Sequence, residues 1–155
     1  MTSQRARRTT VPVNAPISDD METADYAQAF ELATNATRRT GEQWARSVFE
    51  GAPAAVRAVV PLGWRLVLCL RMGPPTGPDH VLGWRIVARD SNFVVLEAHS
   101  PFLTAQNIVT TTDSTVTWST LVRYDHRIAR AIWAIVAPFH HLTIPYLLRY
   151  ADREA

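Results

Sequence analysis

Lysine does not occur in this chain; all 16 basic residues are arginine. A bias of that kind belongs to composition and assigns no function. Cysteine occurs once, at Cys69, so no intrachain disulfide can form. Its setting, Leu-Val-Leu-Cys-Leu, predicts a packed small side chain rather than an exposed nucleophile, and a reducing cytoplasm is the expected compartment. Glycine-rich phosphate loops and the Gly-x-Ser-x-Gly elbow are also missing. The one stretch dense in turn residues, GPPTGPDH (73–80), has prolines where anion-binding amides would be needed. A nucleotide enzyme is therefore disfavoured. Excess charge of one sign is lacking too: the formal net charge is +2, and with residues 1–18 set aside the chain carries 13 basic against 14 acidic residues. Without a clustered basic face, nucleic acid is not an expected partner.

What is there suffices for one domain, since 155 residues with 47% hydrophobic content can bury a real core. Residues 1–20 read as a disordered N-terminal tail, polar and proline-bearing, without the apolar region of a signal peptide. Residues 21–152 read as a single domain. DYAQAFEL (25–32) is a strand or a short helix, too brief for periodicity to decide. Thr40 and Gln43 have the spacing of a capping box and start a helix with Trp44, Val48 and Phe49 on its apolar stripe. Pro53 suits the start of a second helix through AAVRAVV, which Pro61 and Gly63 are expected to break.

From residue 82 the apolar period becomes two, the mark of half-buried strands. Leu82, Trp84, Ile86 and Ala88 alternate with Gly83, Arg85, Val87 and Arg89, and further strands follow near 93–100, 103–112 and 115–124. In the last, Val116, Trp118, Thr120, Val122 and Tyr124 share one face. These four strands predict an antiparallel meander that needs a cover. The cover is at hand: from Ile128 the apolar residues recur at spacings of three and four for about five turns, which predicts one long amphipathic helix. Arg127, Arg130, the two histidines and Arg149 are expected to leave it short of the ~18–20 uncharged apolar residues of a membrane span, so no span is expected. Pro138 predicts a bend that follows the sheet, and Pro145 a second bend or the end of the regular helix.

The segments DYAQAF (25–30), VLGWRIV (81–87) and TLVRYDHRIARAIWAIVAPFHHLTIPYLL (120–148), with the spacing of Trp133, Pro138 and His140, resemble an uncharacterised bacterial branch of the SRPBCC (START-like, polyketide-cyclase-like) superfamily. That branch is a domain of unknown function, found alone or fused behind a reductase-like domain. The resemblance implies an α+β helix-grip fold: a curved antiparallel sheet wrapped on the C-terminal helix, with two short helices after the first strand. About five strands are legible, against the seven usual in that superfamily. It also implies a mainly apolar cavity between sheet and helix, binding a hydrophobic or amphipathic small molecule.

Large aromatics on the facing positions nominate Trp84, Trp118, Tyr124, Trp133, Phe139 and His140 as the ligand-binding set, the alternative for each being plain core. Adjacent helical residues diverge by about 100°, so His140 and His141 do not share a metal, and neither metal nor cofactor is expected. His140 falls nearer the apolar stripe, with His141 turned further toward solvent. Glu97 and His99, two apart on a strand, share a face and form the second acid/base candidate after His140; Val94, Leu96 and Ala98 are the more apolar set, so the pair is expected to face outward. Asn107 or Gln106 could orient a ligand, although an exposed sheet face is the commoner home for both. Two alternatives stand beside small-molecule binding: a cyclase- or hydratase-type enzyme using the same cavity, and an interaction subunit that docks on a reductase-like partner or forms a homodimer.

Overall fold

The computed structural model describes residues 5–36 and 38–155. Its fold is α+β. Seven antiparallel strands form one sheet, in the order β1-β2-β7-β6-β5-β4-β3. They are β1 (Arg7–Thr9), β2 (Tyr26–Ala33), β3 (His80–Val81), β4 (Trp84–Asp90), β5 (Phe93–His99), β6 (Leu103–Thr111) and β7 (Thr115–Tyr124). Helices α1 (Gly41–Phe49) and α2 (Ala54–Leu66) follow β2, and α3 (Arg127–Arg153) closes the chain. The expected meander is β4 to β7, and the 25–32 segment resolves as a strand, lying beside β7 with Phe30 opposite Trp118.

Two strands lie beyond the five legible ones. Within the segment expected as a tail, Arg7–Thr9 extend the sheet as an edge strand paired with β2. At the other edge, β3 and β4 join through Leu82 and Gly83, both at positive φ (47° and 94°). That geometry suits the tight hairpin turn whose twist matches the flanking strands, so Leu82 belongs to a turn and not to the strand expected from 82.

The sheet is covered on both sides. On one face Phe30, Leu32, Leu96, Val109, Val116 and Trp118 build the main core with α1 and α3. On the other, Met21, Val95, Ile108 and Leu121 form a smaller cluster to which Ile17 and Ala24 add. The chain before β2 is thus the cover of the second face, with one 3-10 turn at Asp19–Met21.

Helix α1 starts on the capping box as the spacing predicts: Gln43 N–H donates to Thr40 Oγ1 at 3.1 Å, and Thr40 N–H donates to Gln43 Oε1 at 2.9 Å. Such a cap contributes about 1 kcal/mol. Gly41 opens the helix because a Cβ there would lie 2.6 Å from the backbone of Phe93. Arg46 ties α1 to the loop before β3, pairing with Glu42 and Glu50 and donating to the carbonyls of Gly77, Pro78 and His80.

Pro61 and Gly63 do not break the second helix; α2 runs through both to Leu66. A proline deprives the carbonyl four residues earlier of its partner, and here that residue is the exposed Arg57, whose carbonyl can turn to water. Pro138 acts likewise on exposed Ala134, and α3 runs on through Pro138 and Pro145 for 27 residues. Pro145 therefore does not end it.

Cys69 also departs from expectation: it is exposed, at φ 55°, between buried Leu68 and Leu70. Past the end of α2 the chain sends alternate side chains inward, and the cysteine falls on the outer set. The uncharged length of α3 was underestimated as well. Residues 131–148 contain no Asp, Glu or Arg, and by length and composition the helix could cross a membrane, with a mean hydropathy of 1.4. In this fold it packs on the sheet through Ala129, Trp133, Ile144, Leu147, Leu148 and Ala151.

Candidate functional site

A cavity of about 340 Å³ lies between the sheet, α2 and α3. The sheet supplies Trp84, Ala105, Asn107 and Thr120 to its wall, each at an alternating position that points to the helical side. Trp64 and Val60 of α2 and Trp133, Val136 and Ile144 of α3 supply the rest of its apolar surface. Among the described residues no Asp, Glu or Arg lines it. The rim is apolar too, since Val59, Val67, Ile135 and Phe139 border the cavity and remain exposed, Phe139 by 68%. Leu62 and Leu66 on α2 and Leu142 on α3 are exposed as well.

Four of the six expected ligand-binding residues, Trp84, Trp133, Phe139 and His140, line this cavity. Trp118 does not. It is fully buried, edge-on to Phe49 with centroids 4.9 Å apart, and its indole N–H donates to Asn107 Oδ1 at 3.1 Å. Tyr124 does not line it either; at the far end of β7 it lies under the Arg130 guanidinium, 5.8 Å from the ring centroid. Asn107 joins the site, and neither it nor Gln106 is exposed: Asn107 lines the cavity, while Gln106 on the other face bonds Ser18 and Glu97. Thr120, whose hydroxyl donates to Asn107 Oδ1 at 2.7 Å, was named in the sequence only as a face residue.

His140 sits among rings, 5.6 Å from Trp133 and 6.5 Å from Phe30 between centroids. Its Nε2 is buried and has no partner among the described residues. Burial, helped by neighbouring His141, pushes its pKa down from 6.5 to about 3, so the ring is neutral at neutral pH. His141 points to β2 and β1 instead. Its Nε2 lies 2.6 Å from the Tyr26 hydroxyl, and the Arg8 guanidinium lies 3.1 Å from Nδ1 and 3.3 Å from Nε2. Burial and then Arg8 hold the His141 pKa below its ordinary value, and burial raises that of Tyr26 to about 12.

Glu97 and His99 meet as the two-residue spacing predicts, Oε1 to Nε2 at 2.6 Å, but on the opposite face of the sheet from the cavity. His99 Nδ1 lies 3.2 Å from Thr104 Oγ1, which donates to Asp125. The pair borders a separate depression with Arg71, His80 and Arg85. Among the described residues the cavity offers one titratable side chain, His140.

The arrangement defines an α+β domain with an apolar cavity, open at its rim, beneath its C-terminal helix. The chain belongs to the family described as "Protein of unknown function (DUF2867)", whose model matches residues 21–147. No curated protein and no solved structure matches it.

Proposed function

We propose that this protein binds a hydrophobic or amphipathic small molecule in the cavity between its sheet and its C-terminal helix, and that its family is a branch of the START-like SRPBCC superfamily. The observation that carries the binding reading is a cavity of about 340 Å³ with apolar walls and no charged side chain, a size and lining suited to small organic ligands. Seven strands with two helices after β2 and a long last helix support the superfamily placement. The exposed apolar rim supports entry between α2 and α3, because α2 has no fully buried residue and can move at little cost. Catalysis of cyclase or hydratase type has less support, since Glu97 and His99 lie across the sheet and a neutral His140 is a poor acid at neutral pH.

Native mass spectrometry of protein purified without added ligand tests this. A co-purified apolar mass, lost on organic extraction and accompanied by a fall in melting temperature, is the expected outcome. Absence of any adduct, together with no thermal shift by apolar probes, would overturn the reading. One observation favours a second reading, an interaction subunit: Leu62, Leu66, Phe139 and Leu142 are all more than half exposed on adjacent helices. Light scattering that finds a dimer, dispersed by Phe139→Asp, would support docking of a second copy. Co-elution with a reductase-like protein would support the other form of that reading.

A further inference from the structure

The cavity wall carries one hydrogen-bonding group that apolar packing does not explain. Asn107 lines the cavity and is only 4% exposed. Its Oδ1 accepts from both Trp118 and Thr120, while its amide nitrogen makes no hydrogen bond among the described residues. That nitrogen stays accessible, unlike the unpaired nitrogens of Trp84, Trp133 and His140, which are sealed inside the wall. The wall thus presents a free amide N–H donor, and no carboxylate or carboxamide oxygen is left free to answer it.

Resting on the reading of this cavity as a ligand site, we infer that the ligand is an uncharged apolar molecule bearing a carbonyl-type oxygen acceptor that takes the amide N–H of Asn107. A plain hydrocarbon would leave that donor unsatisfied, at the cost of a buried polar group without a partner. A carboxylate would find that donor but no cation: among the described residues no arginine lines the site, and an unpaired buried charge is far costlier than an unpaired dipole. His140 does not supply the missing charge, being held neutral by burial.

Three probes of one ring system and closely similar size separate these cases: acetylnaphthalene, isopropylnaphthalene and naphthoate, titrated calorimetrically into the full chain at neutral pH. The ketone should bind about tenfold more tightly than the hydrocarbon, the ratio one satisfied hydrogen bond gives, and naphthoate more weakly than either. Asn107→Leu should lower the ratio of ketone to hydrocarbon affinity several-fold, while retained hydrocarbon binding shows that the variant still folds around its cavity. Equal or tighter binding of the hydrocarbon overturns the acceptor requirement and leaves the apolar site standing. Tightest binding of naphthoate overturns the requirement for an uncharged ligand. If none of the three binds, the cavity reading falls and takes this inference with it.

Discussion

A buried neutral histidine makes stability depend on pH in a window set by the unfolded chain. The folded pKa of His140 is depressed from 6.5 to about 3, so below 6.5 the unfolded state takes up a proton that the folded state refuses. Stability is therefore fully present above about pH 7 and falls as the pH drops toward the folded value. At pH 5, about 1.5 units below the unfolded pKa, the loss is about 2 kcal/mol at 1.36 kcal/mol per unit. This figure does not depend on the folded pKa as long as that value lies well below 5. Urea unfolding of the wild type and of His140→Phe at pH 8 and pH 5 isolates the effect. The wild type should lose about 2 kcal/mol more between the two conditions than the variant does, because contributions from His141 and from the carboxylates are common to both. Parallel losses in the two proteins would refute the reasoning, since they would mean that His140 protonates in the folded state as readily as in the unfolded chain.

Two further outcomes test the packing that frames the site. Met21→Ala removes a fully buried side chain from the cluster on the far face of the sheet; chemical denaturation should show a loss of about 2–4 kcal/mol, and a loss below about 0.5 kcal/mol would mean that the chain before β2 does not seal that face. Arg46→Met removes the contacts to Glu42, Glu50 and the carbonyls of Gly77, Pro78 and His80; we expect a loss of about 2 kcal/mol and faster amide exchange in residues 76–81, and unchanged exchange there would show that this segment is held by something else.

Much of the fold was legible because its signals are local. The Thr40 and Gln43 pair, the two-residue period of 115–124 and the three-and-four spacing after Ile128 each describe one element facing one environment. The misses occur where two environments meet. Strand β6 is buried on both faces from Leu103 to Val109, because the chain before β2 covers the side that a two-layer reading leaves to solvent. Burial on both sides allows Gln106 and Asn107 to be enclosed in neighbouring positions pointing opposite ways, and no alternation then says which one meets a ligand. Strand β1 is three residues of an exposed edge with no apolar pattern, so its backbone pairing leaves no trace in the side chains. Proline carries the reverse error: at Pro61 the freed carbonyl belongs to exposed Arg57, and the penalty that reads as a break is relieved by water.

The aromatic residues illustrate why membership of an apolar face does not identify a binding wall. Trp84, Trp118 and Trp133 are all at most 4% exposed, and hydropathy treats them alike. Their indole nitrogens separate them. Trp118 has spent its N–H on Asn107 Oδ1, and Thr120 donates to the same oxygen. With both acceptor positions of that oxygen taken, the orientation of the carboxamide is fixed and its nitrogen is turned away from these two partners. Trp118 therefore positions Asn107 from within the core, whereas Trp84 and Trp133 keep unpaired donors sealed inside the wall and give the cavity their rings. A hydrogen bond, and not burial, divides the tryptophan that orients the polar group of the site from those that only wall it.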